Sequence, residues 1–150
     1  MSKGMLFVAK LAAVAALVAV TGCASVARAP AATDTASKQF MPKADVAQIY
    51  VYRNEAMGAA LSMPVTLDGK LMGTTGPHSY FKFDVSSGLH KLTSQGDGSM
   101  LDVNAEAGKL YFVWQEVKMG LMVGGSKLQL VPAEQGKKGV LESTQILNPL

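Results

Sequence analysis

A tight-turn signature most narrowly limits the folds open to this chain: Asp68-Gly69 stands between the alternating runs 64–67 and 70–73. Both residues of an Asp-Gly turn accept positive φ, which lets two adjacent antiparallel strands join through a two-residue loop. From residue 43 onward the same texture recurs, with short runs of alternating apolar and polar residues separated by glycine-rich turns. This pattern of short alternating runs and glycine-rich turns predicts an antiparallel β domain.

The clearest alternating runs are 46–53, 64–73, 79–85, 89–95, 100–105, 109–117 and 126–131. We expect residues 43–150 to form an all-β domain, a small antiparallel β-sandwich of about seven strands, with a small barrel as the alternative. Pro132 followed by Glu134 favours a short C-terminal helix, although Gly136 and Gly139 oppose it.

The first 22 residues have the layout of a secretory signal peptide. Lys3 and Lys10 give the start a positive charge, and an uncharged apolar run follows over 11–20. As a helix this run would rise only ~15 Å, about half of the ~30 Å hydrocarbon core of a bilayer. We therefore expect residues 1–22 to be cleaved off and not kept as a membrane span.

The only cysteine of the chain follows this segment directly. Val20-Thr21-Gly22-Cys23 resembles the lipobox of bacterial lipoproteins, which is an aliphatic residue, two small residues and a cysteine. The resemblance implies cleavage between Gly22 and Cys23, and a diacylglyceryl and N-acyl lipid on Cys23, whose thiolate is the nucleophile. The alternative is an ordinary secretory signal that leaves Cys23 as a free thiol, which is a reactive liability in an exported protein.

The residue after the cysteine bears on location. In the sorting pattern of Gram-negative lipoproteins an Asp there retains the protein in the inner membrane, and here Ala24 occupies that position. We expect a lipid anchor at the periplasmic face of the outer membrane, with the inner membrane as the alternative. Residues 23–42 are small, polar and proline-rich without periodicity, which predicts a lipidated cysteine and a disordered tether. A short strand around Phe40-Met41 is the alternative there.

The charge balance excludes nucleic acid as a partner. The formal net charge is +3, and loss of Lys3 and Lys10 would leave 12 basic against 11 acidic residues. Binding to nucleic acid needs Lys and Arg clustered along one face. The one adjacent basic pair, Lys137-Lys138, is more typical of a solvated surface.

The sequence carries no recognisable catalytic or metal-binding motif. His90 shares a strand face with an apolar residue, which favours a packed histidine with one satisfied nitrogen, and His78 lies in a turn. A metal site would need a third ligand, for which the candidates are Asp84, Asp97 and Asp102. The segment 120–127 carries Ser126-Lys127 in the reverse of the phosphate-loop order. We expect no metal, no cofactor beyond the lipid, no small-molecule substrate and no enzymatic activity, with a hydrolase least favoured.

A glycine-rich connection after residue 118 is unusually apolar, since it contains Met119, Leu121, Met122 and Val123. One interpretation is a bulged hairpin whose side chains fold back into the core. The other is an exposed, adaptable patch that docks a partner or touches lipid. In the second case these four are the candidate partner-binding residues.

Several segments together resemble a known family. They are IYVYRN, VTLDGKLMGTT, YFKFDVSSGLHKL, KLYFVWQEV and LQLVPAEQG. They resemble the bacterial lipoprotein family catalogued as domain of unknown function 2846, from about Ala44 to about Leu141. The DGK…G hairpin with F…F…V…GLH also looks like the PEGA-type surface modules.

This resemblance implies a β-sandwich displayed by a lipid anchor, and it assigns no reaction. We expect a non-catalytic binding or assembly module of the cell envelope, with an envelope protein as its partner. The alternative is a domain that binds cell-wall glycan or polysaccharide through exposed Tyr and Trp114. That alternative would weaken if Trp114 were buried.

Overall fold

A computed structural model describes residues 26–96, 99–120 and 124–148. Within these ranges it contains nine strands and two short helices. The strands are β1 (Ala47–Arg53), β2 (Met63–Leu67), β3 (Lys70–Thr75), β4 (Ser79–Val85), β5 (Gly88–Thr93), β6 (Met100–Ala105), β7 (Leu110–Met119), β8 (Gly124–Val131) and β9 (Thr144–Gln145). The helices are α1 (Ala31–Ser37) and α2 (Ala133–Leu141).

The strands form two sheets, with the orders β8-β7-β1-β4-β9 and β3-β2-β5-β6. Alternate residues of β1 serve two different cores, because side chains point to opposite faces of a strand. Ile49 and Val51 pack between the sheets with Val65 and Leu92 of the second sheet. The predicted small all-β sandwich is confirmed.

The outer face of the five-stranded sheet carries a second core, which is aromatic. It consists of Tyr50, Tyr52, Tyr80, Phe112 and Val140. Tyr50 and Phe112 stack with ring centroids 5.1 Å apart. The two helices contribute to covering this face, which explains why every residue of β1 is buried.

The five-stranded sheet is mixed, whereas an antiparallel one was expected. β1 runs antiparallel to β4 but parallel to β7, and β4 runs parallel to β9. Alternation along one strand reveals which face is buried, but it carries no information about the direction of a partner distant in sequence. The expected antiparallel pairing was therefore wrong for the pairs β1–β7 and β4–β9.

The Asp68-Gly69 turn joins β2 and β3 as the sequence predicts. Asp68 has φ 51° and Gly69 φ 81°, and the flanking Leu67 pairs with Lys70. Both turn residues lie in the left-handed region that this type of tight turn requires.

The predicted C-terminal helix is also present, and its glycines allow its close packing. A Cβ at Gly136 would lie 2.1 Å from the Cβ of Phe112, and a Cβ at Gly139 would lie 2.0 Å from Cε2 of Tyr52. The residues that opposed the helix by propensity thus let α2 sit directly on the aromatic core.

The expectation of a disordered tether is wrong for residues 26–42. Arg28 forms an antiparallel bridge with Ile146, and α1 follows with Ser37 buried at its end. Phe40 reaches the aromatic core, 5.6 Å from the ring of Tyr50, without forming the alternative strand there. Residues 1–22 and Cys23 lie outside the described residues. No helix in the part that the structure describes is long and apolar enough to cross a membrane.

Candidate functional site

A cleft of about 260 Å³ lies between α2, the end of β1 and the middle of β7. Aromatic and polar side chains line it together: Tyr52, Asn54, Trp114, Gln135, Lys138, Gly139 and Glu142. The parallel register of β1 and β7 places Tyr52 directly opposite Trp114. Two aromatic residues that stand 62 positions apart in the sequence thereby meet at one site.

Tyr52 lies at the base of this cleft and is 2% exposed. Burial raises the pKa of its hydroxyl to about 12, with an opposing hydrogen bond from Gln135 and a smaller contribution from the negative charge of Glu142. The hydroxyl therefore keeps its proton at physiological pH and remains a neutral hydrogen-bonding group.

Trp114 is half-buried, neither exposed nor fully enclosed. Its indole N–H is buried and meets no acceptor among the described residues, at an expected cost of ~1–3 kcal/mol. Nearby, Asn54 Nδ2 donates to Glu142 Oε2 over 2.8 Å. The cleft thus combines an aromatic pair with amide, ammonium and carboxylate groups, which is a donor and acceptor set suited to a polar, hydroxyl-rich ligand.

His90 has both ring nitrogens engaged, whereas one satisfied nitrogen was expected. Nδ1 lies 2.7 Å from Asp68 Oδ2, and Nε2 lies 2.8 Å from the carbonyl oxygen of Ser86. Both partners are acceptors, so both contacts are hydrogen bonds only when both nitrogens carry a proton. The hydrogen bond to Asp68 raises the pKa of His90 above its usual value.

His78 is exposed at the turn before β4, with φ 49°. Asp97, one of the three aspartates considered as a third ligand, lies outside the described residues. Within 26–96, 99–120 and 124–148, no three His, Cys, Asp or Glu side chains come together as a metal site.

The predicted partner patch is only partly described. Met119 ends β7, pairs with Gly124 of β8 and is 61% exposed. Leu121, Met122 and Val123 lie outside the described residues. The loop 54–62 supports the β7–β8 hairpin, since Leu61 packs against Gly124.

A buried arginine that the sequence analysis did not single out holds this supporting loop. Arg53 is fully buried, and its guanidinium donates to the carbonyl oxygens of Leu61 (2.7 Å) and Gly58 (2.7 Å). Its Nε meets no acceptor among the described residues. Burial lowers the pKa of Arg53. An arginine at the end of an apolar strand gives no local sign that it turns inward, because its acceptors are backbone carbonyl oxygens, which every residue carries.

A second buried polar group lies beside this arginine. Gln115 accepts a hydrogen bond from Thr75 and donates to Ser94 Oγ over 2.7 Å. These residues come from three different strands or their ends, so the contacts fix one end of the sandwich. The part of the sandwich beneath the β7–β8 hairpin is therefore cross-linked by hydrogen bonds between side chains of different strands.

The sequence profile of one protein family, described as "Protein of unknown function (DUF2846)", matches residues 43–126. The chain belongs to this family. The DUF2846 match runs from the approach to β1 into β8, so it includes Tyr52 and Trp114 but not α2.

The relationship extends beyond the DUF2846 segment. A Haemophilus influenzae protein named "Uncharacterized protein" is 34% identical over 141 residues, which is 89% of this chain and 84% of the relative. No solved structure matches the chain significantly.

Proposed function

We propose that this protein is a lipid-anchored, non-catalytic binding or assembly module at the periplasmic face of the bacterial outer membrane. The observation that carries the proposal is the lone Cys23 at the end of the Val20-Thr21-Gly22-Cys23 motif, after a charged and then apolar leader. A lipid on Cys23 removes the free thiol, and three acyl chains, at ~0.8 kcal/mol per buried methylene, hold a protein on a membrane. Ala24 supports the outer-membrane assignment.

Several ionisable side chains form hydrogen bonds with the backbone, which supports a non-catalytic role. Several accept or donate hydrogen bonds that fix the backbone: Asp34 with the N–H of Gln145, Glu55 with that of Val117, Asp68 with that of Lys91, and His90 with the carbonyl of Ser86. General acid–base catalysis needs such a group within reach of a substrate proton. Groups committed to the backbone are better suited to structure.

The partner that we propose is an envelope protein bound at the β7–β8 hairpin. Met119 is 61% exposed there, and a flexible thioether side chain adapts to varied partner surfaces. The loop held by Arg53 supplies a fixed base beneath it. Leu121, Met122 and Val123 complete the candidate patch.

The anchor is tested by mass spectrometry of the N-terminal peptide from membrane-extracted protein. We expect Cys23 at the N-terminus with diacylglyceryl and acyl groups, and no labelling by a fatty-acid analogue in the matched Cys23→Ser variant. An N-terminus at another residue, or an unmodified thiol at Cys23, would refute the anchor.

The partner is tested by photo-crosslinking in living cells, with the probe replacing Met122 and a control probe replacing Lys137. A discrete protein adduct at Met122 alone is the expected result. Absence of an adduct at Met122, or equal adducts at both positions, would refute a partner at this hairpin.

A second candidate function is binding of cell-wall glycan, which the cleft at Tyr52 and Trp114 favours. Half-buried Trp114 can stack on a sugar ring and the amides of the cleft can hydrogen-bond to its hydroxyls, with the buried Tyr52 beneath them. Trp114 is the only tryptophan, so its fluorescence reports on this cleft directly. A saturable change on titration with solubilised peptidoglycan fragments, absent in Gln135→Ala, would support this candidate, whereas an unchanged spectrum would reject it.

A further inference from the structure

The chain joins the folded domain within a few residues of Cys23. The N–H of Leu147 donates to the carbonyl oxygen of Ala27, and the N–H of Ala29 donates to that of Gln145, each over 2.9 Å. From Ala27 onward the backbone is therefore held on β9 and on the residues that directly follow it. The four residue steps from Cys23 to Ala27 span at most ~14 Å.

This attachment point lies on one side of the sandwich. β9 is the last strand of the five-stranded sheet, and β3 is the last strand of the four-stranded sheet. A groove of about 410 Å³ connects the N-terminal segment with both, and it is lined by Val26, Ala27, Gly73, Thr74, Ile146, Leu147 and Asn148. We call the side formed by residues 26–29, β3 and β9 the anchor side.

The opposite side is formed by β6 and β8, and we call it the far side. There the N–H of Ser126 donates to the carbonyl oxygen of Gln95 over 2.6 Å, and Ser99 donates to the carbonyl of Ser126. With neighbouring strands ~4.8 Å apart, the five strands from β9 to β8 separate the two sides by ~19 Å.

The anchor side presents residues that suit a lipid surface. Leu147 is 51% exposed, Val26 is half-buried in the groove, and the exposed Arg28 pairs with Ile146, the residue before Leu147. A guanidinium pairs well with phosphate oxygens. Transfer of an exposed leucine into the boundary between headgroups and acyl chains is favourable.

We propose that the sandwich rests directly on the phospholipid surface through its anchor side, with Arg28 at the lipid phosphates and Leu147 at the acyl boundary. This inference rests on the proposed lipidation of Cys23, which pins the anchor side within ~14 Å of the membrane. The far side, with β8 of the β7–β8 hairpin, then faces away from the lipid, where a partner has access to Met119.

The test uses lipidated protein with one introduced cysteine that carries an environment-sensitive fluorophore. Cys23 is blocked by its lipid, so the introduced thiol is the one that reacts. The two matched variants are Leu147→Cys on the anchor side and Met100→Cys on β6 of the far side, where Met100 is 63% exposed. Each is reconstituted into vesicles of phosphatidylethanolamine and phosphatidylglycerol that contain acyl-brominated lipid.

We expect brominated lipid to quench the fluorophore at position 147 several-fold more strongly than at position 100. Equal quenching at both positions, in protein that carries the lipid mass and floats with the vesicles, would overturn this inference alone. Protein that lacks the lipid mass and does not float would overturn the proposed anchor, and this inference with it.

Discussion

Replacing Gly139 with alanine tests how closely α2 must approach the mixed sheet. In an isolated helix this change is favourable by ~1 kcal/mol, because alanine has the higher helix propensity. Here the added Cβ would lie 2.0 Å from Cε2 and 2.5 Å from Cζ of Tyr52, whereas real Cβ contacts essentially never fall below 3.0 Å. Tyr52 is 2% exposed, so its ring has little room to retreat.

The helix must therefore move outward, at the cost of its contacts with the aromatic core. Overpacking of this kind typically costs ~1–3 kcal/mol, and contact with a fixed ring falls at the upper end. After the propensity gain is subtracted, we expect Gly139→Ala to lower the free energy of unfolding by about 2 kcal/mol.

Urea unfolding followed by the fluorescence of Trp114 measures this change, since Trp114 lines the same cleft. With a typical denaturant slope, the midpoint should fall by ~1 M. The matched control is Glu134→Ala, at an exposed position of the same helix, which should change stability by less than ~0.5 kcal/mol. Stability of Gly139→Ala equal to that of this control would refute the close packing of α2 on Tyr52.

Three further predictions concern named hydrogen bonds. Asp68→Asn should lower the pKa of His90 toward 6.5 in an NMR titration, because the hydrogen bond to Asp68 is the main cause that raises this pKa. In the unmodified protein, the stability that His90 contributes is present below pH 6.5 and is lost as the pH rises through its folded pKa. An unchanged pKa of His90 in the variant would contradict this. Tyr80→Phe should cost ~1–2 kcal/mol in urea unfolding, since its hydroxyl donates to Asp34 over 2.7 Å, and an unchanged midpoint would show that the bond adds nothing. Arg53→Met should accelerate amide hydrogen exchange across the loop 54–62, because three carbonyl oxygens of this loop lose their donor. The exposed Lys70→Met should leave exchange there unchanged, and equal exchange in both variants would refute the role given to Arg53.

Local chemistry made much of the fold predictable. The turn at Asp68-Gly69 depends on two adjacent residues, and the strands depend on alternation within a few positions. Both could therefore be predicted from the sequence. The family, too, follows from segments that remain recognisable one by one. The start of α2 is marked by Pro132, which suits a helix N-terminus.

Features that depend on distant partners were not predictable in this way. The order of residues 26–42 depends on Asp34, which accepts hydrogen bonds from the hydroxyl of Tyr80 and the N–H of Gln145. These partners lie 46 and 111 positions away. The small and polar composition of the segment shows only that it has no core of its own, not that it finds one elsewhere.

The sequence by itself determined a small β domain and predicted a leader that ends at Gly22, because turn chemistry, alternation and short motifs act over a few neighbouring residues. The tertiary structure alone decided that β1 and β7 run parallel, which brings Tyr52 beside Trp114. It also decided that Arg28 pairs with Ile146, which ties the first described residues to the edge of the sandwich. Both depend on pairing between segments that are far apart in the sequence, and neither segment alone contains a pattern that identifies its partner.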